Sequence, residues 1–219
     1  MLKLYFAPVA CSFVPHFALE AIKAATGEDF EAQFVKLHKG EQRSPEYLAL
    51  NPNGQVPLLV ADGRPISQII AISLYLDARY PQVGLLPSEP AARADAMSLF
   101  AWMNNTVHPT FTHVFMPQHF AEDEAAKKEI QRVGLANFRK YLERLQAHVA
   151  TASPFLYGAK PSVLDAYALT LFRWGGVGGI DPADFPVFRE WVQRTAQEPS
   201  MAKALERERM PLEMYKKAA

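Results

Sequence analysis

The first eighty residues alternate like strands, interrupted by helical stretches. Leu2-Lys3-Leu4-Tyr5-Phe6 puts every second residue on one apolar face, the period-2 pattern of a half-buried strand. Pro8 to Ser12 is turn-like, and Phe13, Phe17, Ala21 and Ile22 then recur at helical spacing. Glu31 to Leu37 alternates again as a strand. Ser44-Pro45 reads as an N-cap with proline at the first helical position, opening a short helix through Tyr47 and Leu48. Leu58-Leu59-Val60 is an apolar strand, Asp62-Gly63 a tight turn, and Ser67 to about Tyr80 a helix. The predicted order is β-α-β-α-β-β-α: a mixed four-stranded sheet with three helices.

The pattern then changes. Residues 81–90 hold three prolines and a glycine, the composition of a linker between a 1–80 and a 91–219 domain. Beyond it only helical periodicity is found, so the second half is predicted all-α. Ala91 to about Thr106 is one helix. Asp123 to about Thr151 is another, with Ile130, Val133, Phe138, Leu142, Leu145 and Val149 on one stripe. Ser162-Val163-Leu164-Asp165 is a capping box with aspartate in the reciprocal position. It opens a helix apolar on all sides, from Ala166 to Phe172, which is the signature of a buried one. The cluster Gly175-Gly176-Val177-Gly178-Gly179 is expected to end that helix. It is not a phosphate loop, because it follows a helix and precedes no lysine or helix start.

Composition narrows the function. Of 219 residues 49% are hydrophobic, enough for two small cores. Formal charge is +0, so nothing favours nucleic acid or an anionic membrane. No apolar run reaches the roughly 18 residues of a membrane helix, and with a strand predicted from Leu2 no signal peptide is expected. One cysteine excludes an internal disulfide and fits a reducing compartment. The expectation is a cytoplasmic protein. His113 and His119 have no partner at ligand spacing, so no metal is expected.

Two segments carry candidate chemistry. Cys11 stands at the start of the first helix, where unpaired backbone N–H groups and the helix dipole favour a thiolate. Ser12 offers a second donor. A small buried apolar residue is the other common use of a free cysteine. Asn51-Pro52-Asn53-Gly54-Gln55-Val56-Pro57 is a loop of turn-formers running into a strand. A cis Val56-Pro57 bond would present the Val56 amide and carbonyl to an extended peptide.

The whole chain resembles the glutathione transferases, on Ala10-Cys11-Ser12 with Pro15-His16, on Asn51 to Pro57, and on Ala71-Ile72-Ser73-Leu74-Tyr75-Leu76. The place of Cys11 most resembles the bacterial beta class. The resemblance implies a thioredoxin-like first domain, glutathione as co-substrate, a homodimer, and a second-domain pocket for a small apolar electrophile. It implies that Cys11 or Ser12 contacts the glutathione sulfur, and that Gln55, Val56 and Pro57 meet its cysteinyl residue. The γ-glutamyl end would fall at Ser67, Gln68 and Ile69, where the family has an acid followed by serine. This chain departs from the family there. Lys39, beside His38, is the implied contact for the glycine carboxylate. Asn104 falls where the beta class has a histidine, with His108 a turn away. Asn105, Phe111 and Phe115 complete the implied pocket. Three readings stay open: a conjugating transferase, a thiol–disulfide exchanger through Cys11, and a transferase-like binding protein that has lost glutathione.

Overall fold

A computed structural model describes residues 1–215. The strands are β1 (Leu2–Phe6), β2 (Phe30–Phe34), β3 (Leu58–Ala61) and β4 (Arg64–Ser67), in sheet order β2-β1-β3-β4. β1 runs parallel to β2 and antiparallel to β3, and β3 pairs antiparallel with β4. Leu2, Leu4 and Phe6 face the core on alternate positions, as the period-2 pattern requires. Helices α1 (Phe13–Thr26), α2 (Pro45–Leu50) and α3 (Ile69–Arg79) complete the predicted order. This is a thioredoxin-like half.

Boundaries shift in places. β2 ends at Phe34 rather than Leu37, because Leu37–Lys39 curls into a 3-10 turn closed by Gly40 at φ 74°. Ser67 belongs to β4 and not to the following helix. The N-cap of α3 is Gln68, at φ 75° and with no side-chain cap. Few non-glycine residues adopt that left-handed backbone, and those that do cluster at functional sites.

The rest is helical: α4 (Pro90–Trp102), α5 (His108–Phe115), α6 (Glu124–Ala150), α7 (Val163–Val177), α8 (Pro186–Thr195) and α9 (Pro199–Glu208). Past residue 90 the described residues form no strand, only a single bridge between Phe155 and Gly158. The last four residues of the expected 91–219 segment lie outside the described ones. The expected helix from Ala91 continues beyond Thr106, through a π-helical turn at Met103–Val107 and straight into α5. Asp123 caps α6 by accepting from Ala126 N–H. Phe138, Leu142, Leu145 and Val149 are buried on its stripe, but Val133 is exposed and Gly134 takes its place against α5.

Helix α7 is the centre of the helical half. Every residue from Val163 to Gly176 is buried. Its capping box is complete: Asp165 Oδ2 accepts from Ser162 N–H at 2.7 Å and from its hydroxyl at 2.6 Å, while Oδ1 accepts from Leu156 N–H at 2.9 Å. The glycine cluster acts differently from expectation. Gly175 and Gly176 lie inside the helix because neighbours crowd them: a Cβ at Gly176 would stand 2.9 Å from the Tyr215 backbone nitrogen. Termination falls to Gly178. The linker is anchored, with Leu85 and Leu86 buried in the main core.

Candidate active site

A cavity of about 1250 Å³ opens between the sheet half and the helical half. Four features of the sheet half reach it: the Ala7–Cys11 turn before α1, the segment from Phe34 to Arg43 after β2, the 51–57 loop, and the Ser67-Gln68-Ile69 start of α3. From the helical half come Asn104, His108, Phe111, Phe115 and Trp174, among others.

The 51–57 loop is held from beneath. Tyr47 Oη and Asn51 Nδ2 both donate to Gln55 O at 2.7 Å, and Asn51 Oδ1 accepts from Asn53 N–H. Val56-Pro57 is cis. Gln55, Val56 and Pro57 line the cavity, as do Ser67, Gln68 and Ile69.

Cys11 also lines the cavity but is only 9% exposed. Its Sγ–H donates to Val56 O at 3.7 Å, long even for sulfur. Burial pushes the thiol up to about 12, and donation by its own backbone N–H pulls the other way without prevailing. A lowered Cys11 pKa was expected from its place at a helix start. The correction is that desolvation outweighs the helix start, by roughly 4 kcal/mol against the thiolate. Ser12 is corrected as well. It is fully buried, its hydroxyl donating to Ala7 O and accepting from Ala7 N–H, both at 3.1 Å, so it braces the turn behind Cys11 and does not reach the cavity.

Two further expectations fail on geometry. Lys39 does not reach the cavity; after the Gly40 turn the chain presents Gln42 and Arg43 instead, together with His38. Asn105 is exposed and off the lining, because Asn104, His108, Phe111 and Phe115 follow one another at spacings of four, three and four, which share one helix face. Asn105 only accepts from Asn104 Nδ2 at 3.0 Å.

Sequence reasoning missed the residues that tie this wall together. Tyr167, fully buried on α7, meets His108 Nδ1 at 2.7 Å and Asn104 Oδ1 at 3.5 Å. Burial, helped by the nearby Cys11, holds the tyrosine hydroxyl well above its ordinary value, so it keeps its proton. Burial lowers His108 to about 4, leaving the ring neutral at pH 7. Which of His108 Nδ1 and the Tyr167 hydroxyl donates in the shorter contact depends on the tautomer of the imidazole; in the longer one Tyr167 Oη donates to Asn104 Oδ1. Trp174 stacks on Phe111 at 4.7 Å and 14°, and Phe111 on Phe115 at 5.8 Å and 10°. Phe115 is 58% exposed, leaving one ring face open at the mouth. Trp174 Nε1–H also donates to Val9 O at 2.6 Å, so a helical-half residue holds the turn that carries Cys11. Beside Trp174, Arg173 forms a fully buried ion pair with Glu208 at 2.6 Å. No sequence pattern marked either residue.

The architecture and the cavity agree with known proteins. The N-terminal and C-terminal domain families of glutathione S-transferase match residues 2–78 and 101–199. Glutathione S-transferase 1 of Dianthus caryophyllus is 39% identical over 86% of this chain and 84% of its own. The chain belongs to the glutathione S-transferase family. A sphingomonad glutathione S-transferase complexed with glutathione is 30% identical, with a TM-score of 0.79 over 95% of this chain and 100% of that one. A bacterial beta class glutathione S-transferase of Sphingomonas chungbukensis is 28% identical, also with a TM-score of 0.79, over 95% and 100%. Like the family it belongs to, the protein is an enzyme with a thioredoxin-like half and a helical half. Among the described residues no cluster of acids, histidines or cysteine could hold a metal, and no helix is long and apolar enough to cross a membrane.

Proposed function

We propose that this transferase joins the thiolate of glutathione to an apolar electrophile, as a cytoplasmic homodimer in a detoxifying role. The observation that carries the reading is the meeting of two unlike walls in one cavity. One wall is peptide-like, built from the Cys11 turn, the 51–57 loop and the α3 start. The other is the aromatic stack of Trp174, Phe111 and Phe115.

In this reading Cys11 stays a thiol and acts as a donor. Its S–H turns from Val56 O to the glutathione sulfur, stabilising the thiolate beside the positive end of α1. Each unit of pKa lowering on that sulfur takes about 1.4 kcal/mol, within the reach of two or three such donors. In the tautomer whose Nδ1 accepts from Tyr167, the Nε2–H of neutral His108 offers a donor to an oxygen of the electrophile as charge develops there. The aromatic stack positions the apolar partner and excludes water. Thiol–disulfide exchange draws no support, because a Cys11 thiol at about 12 holds almost no thiolate at neutral pH.

Steady-state turnover of glutathione with a chloronitrobenzene tests the reading. Activity with the wild type, and a Cys11→Ala variant reduced about 10- to 100-fold in kcat/KM, is the expected result. A wild type without conjugating activity, or a Cys11→Ala variant at wild-type rate, refutes it.

A further inference from the structure

We propose that the segment Pro211–Tyr215, which follows α9, is a strap across the electrophile side of the cavity, and that Met214 on it limits the size of the electrophile. The inference rests on the transferase reading and specifies which electrophiles that site admits. Arg209 ends α9 in the left-handed conformation, at φ 54°, and the chain turns back over α7. The segment beyond forms no helix or strand. Such a segment keeps one place only where side chains and packing tie it down.

The ties come from two helices. On α7, Arg173 Nη2 donates to Pro211 O at 3.3 Å. On α8, Arg189 grips Glu213 with a fork, Nε to Oε1 at 2.7 Å and Nη2 to Oε2 at 2.9 Å, and Gln193 Nε2 donates to the same carboxylate at 3.2 Å. Forked pairing is the strong form of this contact and fixes orientation as well as distance. It also holds the Glu213 carboxyl below its ordinary pKa, so the fork persists at neutral pH. The last tie is a close approach. The backbone of Met214 and Tyr215 lies directly on Gly176 of α7, where no side chain intervenes. Gly176 thus has a use toward the site and not only toward packing.

These ties set Met214 into the cavity wall. Trp174 and Val177 stand three residues apart on one face of α7, and Met214 lines the cavity with them. Trp174 belongs to the aromatic stack that receives the electrophile. A substrate too large for the space beside Trp174 has to displace Met214, and the Glu213 fork, one residue away, resists. An apolar pocket discriminates by about 10- to 200-fold for one methylene. A methionine wall discriminates less, because its side chain bends.

Steady-state kcat/KM with glutathione and two electrophiles tests this: chlorodinitrobenzene, and chlorodinitronaphthalene, which keeps the leaving group and nitro groups and adds one fused ring. The quantity read is the ratio of the larger substrate to the smaller, so a general loss of activity cancels. Met214→Ala is expected to raise the ratio about tenfold. Glu213→Gln leaves Met214 in place and loosens the fork, and is expected to raise it about threefold. Both residues are only half-buried, and circular dichroism checks that the variants fold. A rise of about threefold or more with Met214→Ala supports the inference. A smaller rise, with chlorodinitrobenzene still turned over, overturns it and leaves the transferase reading intact. A rise with Met214→Ala and none with Glu213→Gln overturns the fork as the tie that holds the strap. A wild type that conjugates neither substrate overturns the transferase reading and the inference with it.

Discussion

Replacing His16 by phenylalanine should remove a defined part of the protein's acid sensitivity. His16 is fully buried on α1, with its ring against Phe6 at 4.7 Å and Phe30 at 5.9 Å, and neither ring nitrogen has a hydrogen-bond partner. Burial lowers its pKa to about 3, and the charge of Arg207 adds to the effect. Glu20 cannot rescue the charged ring. Its Oε1 stands 4.0 Å from His16 Nε2 and is already paired with Arg207 Nε at 2.6 Å. The native state therefore keeps a neutral ring, whereas the unfolded chain takes up a proton below about pH 6.5. Stability from this group is complete above pH 6.5 and is lost as pH falls toward 3. Between pH 7 and pH 4 the loss integrates to about 3 kcal/mol. His16→Phe orphans no polar group, so its cost at pH 7 should stay within about 1.5 kcal/mol. Urea unfolding at pH 7, 6, 5 and 4, at fixed protein concentration and read by tryptophan fluorescence, measures the difference. The gap between the two proteins should close by about 3 kcal/mol, or reverse, on going to pH 4. Parallel acid curves would refute the reasoning and mean that the imidazolium finds a partner in the folded protein.

Other tests probe the capping box, the thiol and the cross-domain contact. Asp165→Ala leaves the buried Ser162 N–H and the half-buried Leu156 N–H without acceptors, and thermal unfolding should show a loss of about 2–4 kcal/mol. Cys11, held at about 12, should react with iodoacetamide more slowly than free cysteine at pH 7.5, as followed by mass spectrometry; faster reaction would show a thiolate that burial does not suppress. Trp174→Phe keeps an aromatic ring for the stack but deletes the donor to Val9 O, and should lower kcat/KM for conjugation about tenfold with little change in melting temperature. Unchanged kinetics would show that the Cys11 turn needs no such tie.

Much of the fold was legible because it rests on local pattern. Strand alternation in Leu2–Phe6, the Ser44-Pro45 cap and the Ser162–Asp165 box each act within a few residues, and each forms the element expected. The α3 start was misread because Ser67 looks like a cap. Only the left-handed backbone at Gln68 reveals that the helix begins later, and glutamine carries no sequence signal for that conformation. The site was legible as a set of segments but not as a set of charges. Cys11 sits where helix geometry favours a thiolate, yet burial decides its protonation, and burial is a property of the packed whole. Tyr167 fell within the apolar run and Arg173 directly after it. Nothing local tells that Arg173 is paired with α9 and that Tyr167 meets His108.

The bond from Trp174 to Val9 spans 165 residues, and this separation sets the order in which the enzyme becomes competent. A ribosome adding about 5–20 residues each second needs on the order of ten to thirty seconds between the two. During that interval the sheet half can assemble with its cysteine in place, but the turn beside it has no clasp. Glu208, the counter-charge of Arg173, is made later still. Chains cut short anywhere between α3 and α7 would therefore carry the whole peptide-binding wall and no finished site. The first residues made are among the last to reach their working geometry.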